Sequence, residues 1–112
     1  MLLIVEDDTA LGEVLTLWCE DVKRNCKHVK TIKEAIECIK IHNPESILID
    51  IFLQGEYGNS LIEYILEHVR PTPKIVAMSA SKRAKEMVKN YPIAGFLEKP
   101  FEIEKLEELI NL

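Results

Sequence analysis

Residues 46–53 read Ser-Ile-Leu-Ile-Asp-Ile-Phe-Leu, a nearly unbroken apolar run with one aspartate, Asp50, inside it. A strand with one face in water would alternate polar and apolar residues. This stretch does not alternate, so it predicts a strand covered on both faces, as in a parallel sheet wrapped by helices. Similar runs flank it. Leu2–Val5 is apolar and ends abruptly in Glu6-Asp7-Asp8, and Ile75–Met78 and Ala94–Leu97 are further short strands. A weaker candidate lies near His28–Thr31. The count is five.

Helical stripes fill the intervals. Leu11, Val14, Leu15, Trp18 and Val22 recur at helical spacing, as do Ile32, Ala35, Ile36 and Ile39, which stop before the breaker pair Asn43-Pro44. Gln54–Gly58 reads as a loop. Leu61, Ile62, Ile65, Leu66 and Val69 form a third stripe, ended by Pro71 and Pro73. Lys82–Tyr91 reads as a basic helix with Ala84, Met87 and Val88 inward, and Ile103, Leu106, Leu109 and Ile110 stripe the last helix. Strands alternating with helices predict right-handed crossovers and an α/β fold on a parallel sheet. Five strands suit the flavodoxin-like, doubly wound order 2-1-3-4-5. Its switch point falls between the first and third strands, and ligands bind just beyond their carboxyl ends.

Composition narrows the function classes. The chain has 112 residues, enough for one domain over residues 1–112 with an ordinary core. With 47% hydrophobic and 29% charged residues it reads as globular. No apolar run approaches the roughly 20 residues of a membrane span, and Met1–Val5 is too short for a signal-peptide core. A cytoplasmic location is expected. The net charge of −5 argues against binding nucleic acid or an acidic membrane surface. Cys19, Cys26 and Cys38 are odd in number and make no C-x-x-C pair, so reduced, packed thiols are expected. His28, His42 and His68 are scattered, which disfavours zinc.

The predicted switch point is acidic. Glu6-Asp7-Asp8 end the first strand and Asp50 sits in the third. Crowded carboxylates repel one another, and a hard cation such as Mg²⁺ relieves that while keeping waters for a phosphate to share. Asp is also a good helix N-cap, so Asp8 is assigned to the cap, and Glu6 and Asp7 to the metal. Asp50 could simply cap the loop that follows. Its other reading is a carboxylate nucleophile of the kind that forms an acyl phosphate. Transferring a phosphoryl group requires its charge to be neutralised, and the fourth and fifth strands end at Ser79 and Lys99, a hydroxyl donor and a compact cation. A loop serine and a surface lysine are ordinary singly; together with the acidic cluster they form a set spread over four strand ends. Lys99-Pro100 is a candidate for a cis bond.

These residues carry a family resemblance over the whole chain. LLIVEDD at the start, LIDIFL with Asp50, Gly58 eight residues further on, MSAS with Ser79 and AGFLEKPF with Lys99 resemble the receiver domain of two-component response regulators, the CheY-like family. The resemblance implies Mg²⁺, with Mn²⁺ as a substitute, held by Glu6, Asp7, Asp50 and the backbone carbonyl of Phe52. It implies Asp50 as acceptor from the phosphohistidine of a sensor histidine kinase or phosphotransfer protein. Ser79 would be the moving hydroxyl and Phe96 the aromatic that turns inward with it. Ala80 would leave room for the phosphoryl group, and Lys99 would bind its oxygens. The output would be a change at the surface of the fourth helix, fifth strand and fifth helix. That surface would be read by a downstream protein or a fused output domain, and is also where such domains often pair as homodimers. In this family the domain is a signalling switch and not an enzyme in the usual sense.

Three positions depart from the common pattern. Gln54 stands where a proline is frequent, which predicts a mobile 54–58 loop. Ser79 replaces threonine, and Phe96 replaces tyrosine. Phe52 overlooks the phosphoryl position without a group to orient water, and Ser81 is too short to act as a strong base, so a long-lived phospho-Asp50 is expected. No output domain follows in this chain, leaving a stand-alone receiver, a piece of a longer regulator, or a phosphate-independent interaction module as alternatives. The intact set of Glu6, Asp7, Asp50, Ser79 and Lys99 weighs against the last. A dehalogenase-type phosphatase would show a second aspartate at position 52, and no Gly-rich P-loop occurs. A flavin carrier is disfavoured because the acidic crevice would repel its phosphate. Lys82, Arg83, Lys85 and Lys89 read first as a solvated helix face and second as a dock for an acidic partner.

Overall fold

Each apolar run folds as a strand whose alternate residues feed two different helix layers. The computed structural model describes residues 1–111; Leu112, the last residue of the expected domain, lies outside them. The elements run β1 (Leu2–Val5), α1 (Thr9–Asp21), β2 (Cys26–Val29), α2 (Ile32–His42), β3 (Ser46–Asp50), β4 (Phe52–Leu53), β5 (Glu56–Tyr57), α3 (Asn59–His68), β6 (Lys74–Ser79), α4 (Lys82–Val88), β7 (Gly95–Glu98) and α5 (Ile103–Ile110). Five strands make one parallel sheet in the order β2-β1-β3-β6-β7. With the two short strands set aside, this is the predicted order.

Period-two geometry explains the continuous hydrophobicity. Leu3, Val5, Ile47, Ile49, Ile75 and Ala77 pack toward α2, α3 and α4, against residues such as Ala35, Ile39, Leu61, Ile65 and Val88. Their neighbours Leu2, Ile4, Leu48, Val76 and Met78 pack toward Leu15 and Cys19 of α1 and Leu106 and Ile110 of α5. Burial lifts the Cys38 thiol above its usual range and, with nearby Cys26, the Cys19 thiol to about 12, so both stay protonated. All three cysteines are free.

Several expectations need correction. The run 46–53 is not one strand. Asp50 takes the amide of Phe52 on its own Oδ1 at 3.0 Å, which ends the ladder in a local turn. Phe52 and Leu53 then pair with Tyr57 and Glu56 in a small antiparallel hairpin where a loop was expected. Gly55 turns this hairpin at φ 76°. β2 runs Cys26–Val29, starting two residues before His28 in register with Leu2–Val5, and stops short of Thr31, which is the N-cap of α2 and accepts the Glu34 amide at 3.1 Å. The face of α1 is rotated: Gly12, Leu15 and Cys19 point inward, whereas Val14 and Val22 are exposed. In α4, which ends at Val88, Ala84 and Val88 are buried but Met87 is exposed. Lys82, Arg83 and Lys85 are solvated, and Lys89 pairs with Glu86 at 2.8 Å. Among the described residues, no helix is long and apolar enough to cross a membrane.

Candidate functional site

Parallel strands place all their carboxyl ends at one edge, so residues distant in sequence meet there. Asp50 is the last residue of β3 and only 4% exposed. Glu6 follows β1 and is fully buried. Asp7 is half-buried beside it, and one oxygen from each of Glu6, Asp7 and Asp50 lies within 4.8 Å of the others. Asp8 is the N-cap of α1, accepting the amides of Ala10 at 2.9 Å and Leu11 at 3.3 Å, as assigned from sequence.

Lys99, just after β7, reaches into this cluster. Its Nζ donates to Asp50 Oδ2 at 2.8 Å and to Glu6 Oε1. Burial works against the charged lysine, but the bonds to Asp50 and Glu6 outweigh it and raise its pKa. Burial also pushes Glu6 up to about 7; Lys99 opposes that rise and Asp50 adds to it. One ammonium thus faces three acids. Three close carboxylates with one compensating cation leave room in charge for a hard divalent ion, and oxygen-only donors fit Mg²⁺.

The backbone around the pocket is tied down. The Asp8 amide donates to Glu6 Oε2 at 3.2 Å, and the Gln54 amide donates to Asp7 Oδ2 at 2.7 Å. A Cβ on Gly58 would lie 2.3 Å from the Asp50 carbonyl oxygen, so only glycine lets α3 begin this close to β3. The Gly58 amide donates to the Ile51 carbonyl at 2.7 Å. Ser79 ends β6, 2% exposed, with its Oγ accepting the Ser81 amide at 3.1 Å. The Lys99 amide donates to the Ser79 carbonyl at 2.9 Å, which joins β7 to β6 at the rim. The Lys99-Pro100 bond is cis. Ala80 is exposed and lines a groove with Asp8, Leu11, Lys99 and Pro100.

Other expected residues sit further out. Phe96, opposite Ala77 in the sheet register, is half-buried against the core on the α2–α4 side. The Phe52 ring meets Tyr57 edge-on at 5.6 Å and 70°, and lines a groove with Arg83, Glu86 and Met87. Ser81 is committed as N-cap of α4, with its Oγ accepting the Arg83 amide at 3.2 Å. Two contacts were missed from sequence. Position 54 had been noted only as a lost proline, yet its amide, which proline lacks, holds Asp7. His28 Nε2 bonds the Glu6 carbonyl at 2.7 Å. No sequence signal marked it, because only the pairing of β1 with β2 brings those residues together.

A doubly wound five-stranded parallel sheet with an acidic pocket and an invading lysine at its switch point defines a flavodoxin-like α/β domain whose candidate site lies beyond the carboxyl ends of β1 and β3. The chain matches the family described as response regulator receiver domain over residues 2–111, and it belongs to that family. It is similar to the "Probable C4-dicarboxylate response regulator DctR" of Priestia megaterium, 24% identical over 97% of this chain. The chain spans about half of that relative's length, 49%. It is similar in structure to a CheY-like receiver domain from Methylobacillus flagellatus (TM-score 0.83, 27% identity, 98% of this chain and 94% of that one). The non-phosphorylated HemR receiver domain from Leptospira biflexa gives TM-score 0.85 at 27% identity, covering 99% and 94%. A CheY-like receiver domain protein from Methanospirillum hungatei gives 0.84 at 25%, covering 98% and 92%. The chain is therefore a receiver domain of the two-component, CheY-like type, a signalling domain.

Proposed function

We propose that the chain is a Mg²⁺-dependent phosphoacceptor in which Asp50 takes a phosphoryl group from a phosphohistidine on a sensor kinase or phosphotransfer protein. The observation that carries this reading is the meeting of Glu6, Asp7, Asp50 and Lys99 at one strand-end pocket. An Asp50 carboxylate oxygen attacks phosphorus, the phosphorus–nitrogen bond breaks, and the imidazole nitrogen leaves with its electron pair and takes a proton from solvent. Glu6, Asp7, Asp50 and the Phe52 carbonyl would hold the metal. Bound Mg²⁺ supplies charge neutralisation on the transferred oxygens. Lys99 keeps its contact with Asp50 and adds a second positive charge at the phosphoryl group. Ser79 donates its hydroxyl to a phosphoryl oxygen once released from the Ser81 amide, and Phe96 follows. The resulting shift of α4, β7 and α5 is read by an output domain or a separate protein partner.

The test is intact mass after incubation with Mg²⁺ and acetyl phosphate. A gain of one phosphoryl group in the wild type, absent in Asp50→Asn and absent in EDTA, is the expected result. No gain at any donor concentration would point to a phosphate-independent interaction module. Phe52 carries no group to orient a hydrolytic water and Ser81 is committed as the N-cap of α4, so phospho-Asp50 is expected to be long-lived. Phe52→Asn should shorten its lifetime severalfold; an unchanged decay would sink that part of the reading.

A further inference from the structure

We infer that Gly12 and His28 form a positioning pair that fixes the backbone of Glu6 and thereby sets how tightly the acidic pocket grips a divalent cation; this rests on the reading that Glu6, Asp7 and Asp50 take Mg²⁺. His28 lies on β2, opposite Ile4 in the register. Its ring reaches past the end of β1, where Nε2 meets the Glu6 carbonyl at 2.7 Å. A carbonyl can only accept, so Nε2 carries the hydrogen. The Glu6 amide in turn donates to the Val29 carbonyl at 3.0 Å. Both backbone groups of Glu6 are therefore tied to β2 at the point where the chain turns out to Asp7.

Gly12 makes this contact sterically feasible. It is buried within α1, and its amide makes an ordinary helical bond to the Asp8 carbonyl at 3.0 Å. No turn or helix end calls for glycine there, and glycine is the poorest helix former after proline. The reason is space. A Cβ at position 12 would lie 2.1, 2.4 and 2.5 Å from His28 Cε1, Nε2 and Nδ1. Such similar distances mean the imidazole lies nearly flat over the Gly12 α-carbon. Any side chain there would push the ring off the Glu6 carbonyl. The helix gives up propensity at one position and gains a fixed donor behind a pocket acid. Groups that orient metal ligands from behind commonly alter metal affinity by 10-fold or more.

A histidine that merely fills space would affect stability without touching cation binding, and this separates the two roles. The experiment is calorimetric titration of the full chain with MgCl₂, alongside thermal unfolding in EDTA, for wild type, His28→Leu, His28→Gln and Gly12→Ala. The inference expects His28→Leu and Gly12→Ala to weaken Mg²⁺ binding about tenfold, and His28→Gln, which keeps an N–H donor, to recover part of the loss. Gly12→Ala carries the test if His28→Leu does not fold, since it leaves His28 itself in place. Wild-type Mg²⁺ affinity in both variants, whatever their melting temperatures, would overturn the inference. So would a glutamine no better than leucine. A wild type that binds no Mg²⁺ would overturn the proposed metal site itself, a result distinct from variants that match a binding wild type.

Discussion

Burial holds Glu6 protonated well above the usual carboxylate range, up to about 7, with Asp50 adding to the rise and Lys99 opposing it. The unfolded chain gives up this proton near 4.5. Between those values the folded chain binds the proton and the unfolded chain does not. The stability linked to Glu6 is therefore full below about 4.5 and is lost as pH rises through about 7. Urea unfolding in EDTA at pH 5 and pH 8 should show this fall, and Glu6→Gln, which mimics the protonated acid, should flatten it. An equal slope in the variant would assign the pH response to other groups. At this scale the sequence was informative about residue types. Glu6, Asp7, Asp50 and Lys99 were all legible as an acid cluster with a cation. It was silent on burial: three acids stand in a row after β1, yet Glu6 is fully buried, Asp7 half-buried and Asp8 exposed.

At the scale of elements, short apolar runs and helical stripes located every strand of the sheet and every helix, but not all faces and ends. Helix α1 carries more apolar residues than one face can hold, so two overlapping stripes were available. Leu15 is 1% exposed and packs in the core, while Val14 is 60% exposed. Leu15→Ala should cost about 2–5 kcal/mol through lost contacts and an incompletely collapsed cavity. Val14→Ala should stay within about 0.5 kcal/mol. Chemical denaturation of the two variants checks the rotation of the helix, and comparable losses would contradict it. The end of β3 was also misread, for a local reason: an apolar run says nothing of where an aspartate side chain takes a backbone amide. Asp50 does so, and the hairpin of Phe52, Leu53, Glu56 and Tyr57 follows. The capping reading of Asp50 holds, since Oδ1 takes the Phe52 amide, while Oδ2 stays in the pocket and takes Lys99.

In the whole molecule, one sheet edge gathers what the chain disperses. Alternation of strands and helices, with right-handed crossovers, indicated from sequence that the strands run parallel, and the count of five favoured the order in which the first and third lie side by side. That already places Glu6-Asp7 beside Asp50, since a topological rule carries information across long gaps. The tertiary structure alone decided the contacts that depend on register and side-chain reach. Lys99 bonds Glu6 across 93 residues of chain. The Gln54 amide reaches back 47 residues to Asp7, and His28 reaches 22 to the Glu6 carbonyl. Sequence patterns report each residue's preference for core or solvent because that preference is local. Which polar group satisfies which, once buried at a shared strand end, is settled only when the layers pack and exclude water, for then every buried donor and acceptor must find a partner within about 3 Å.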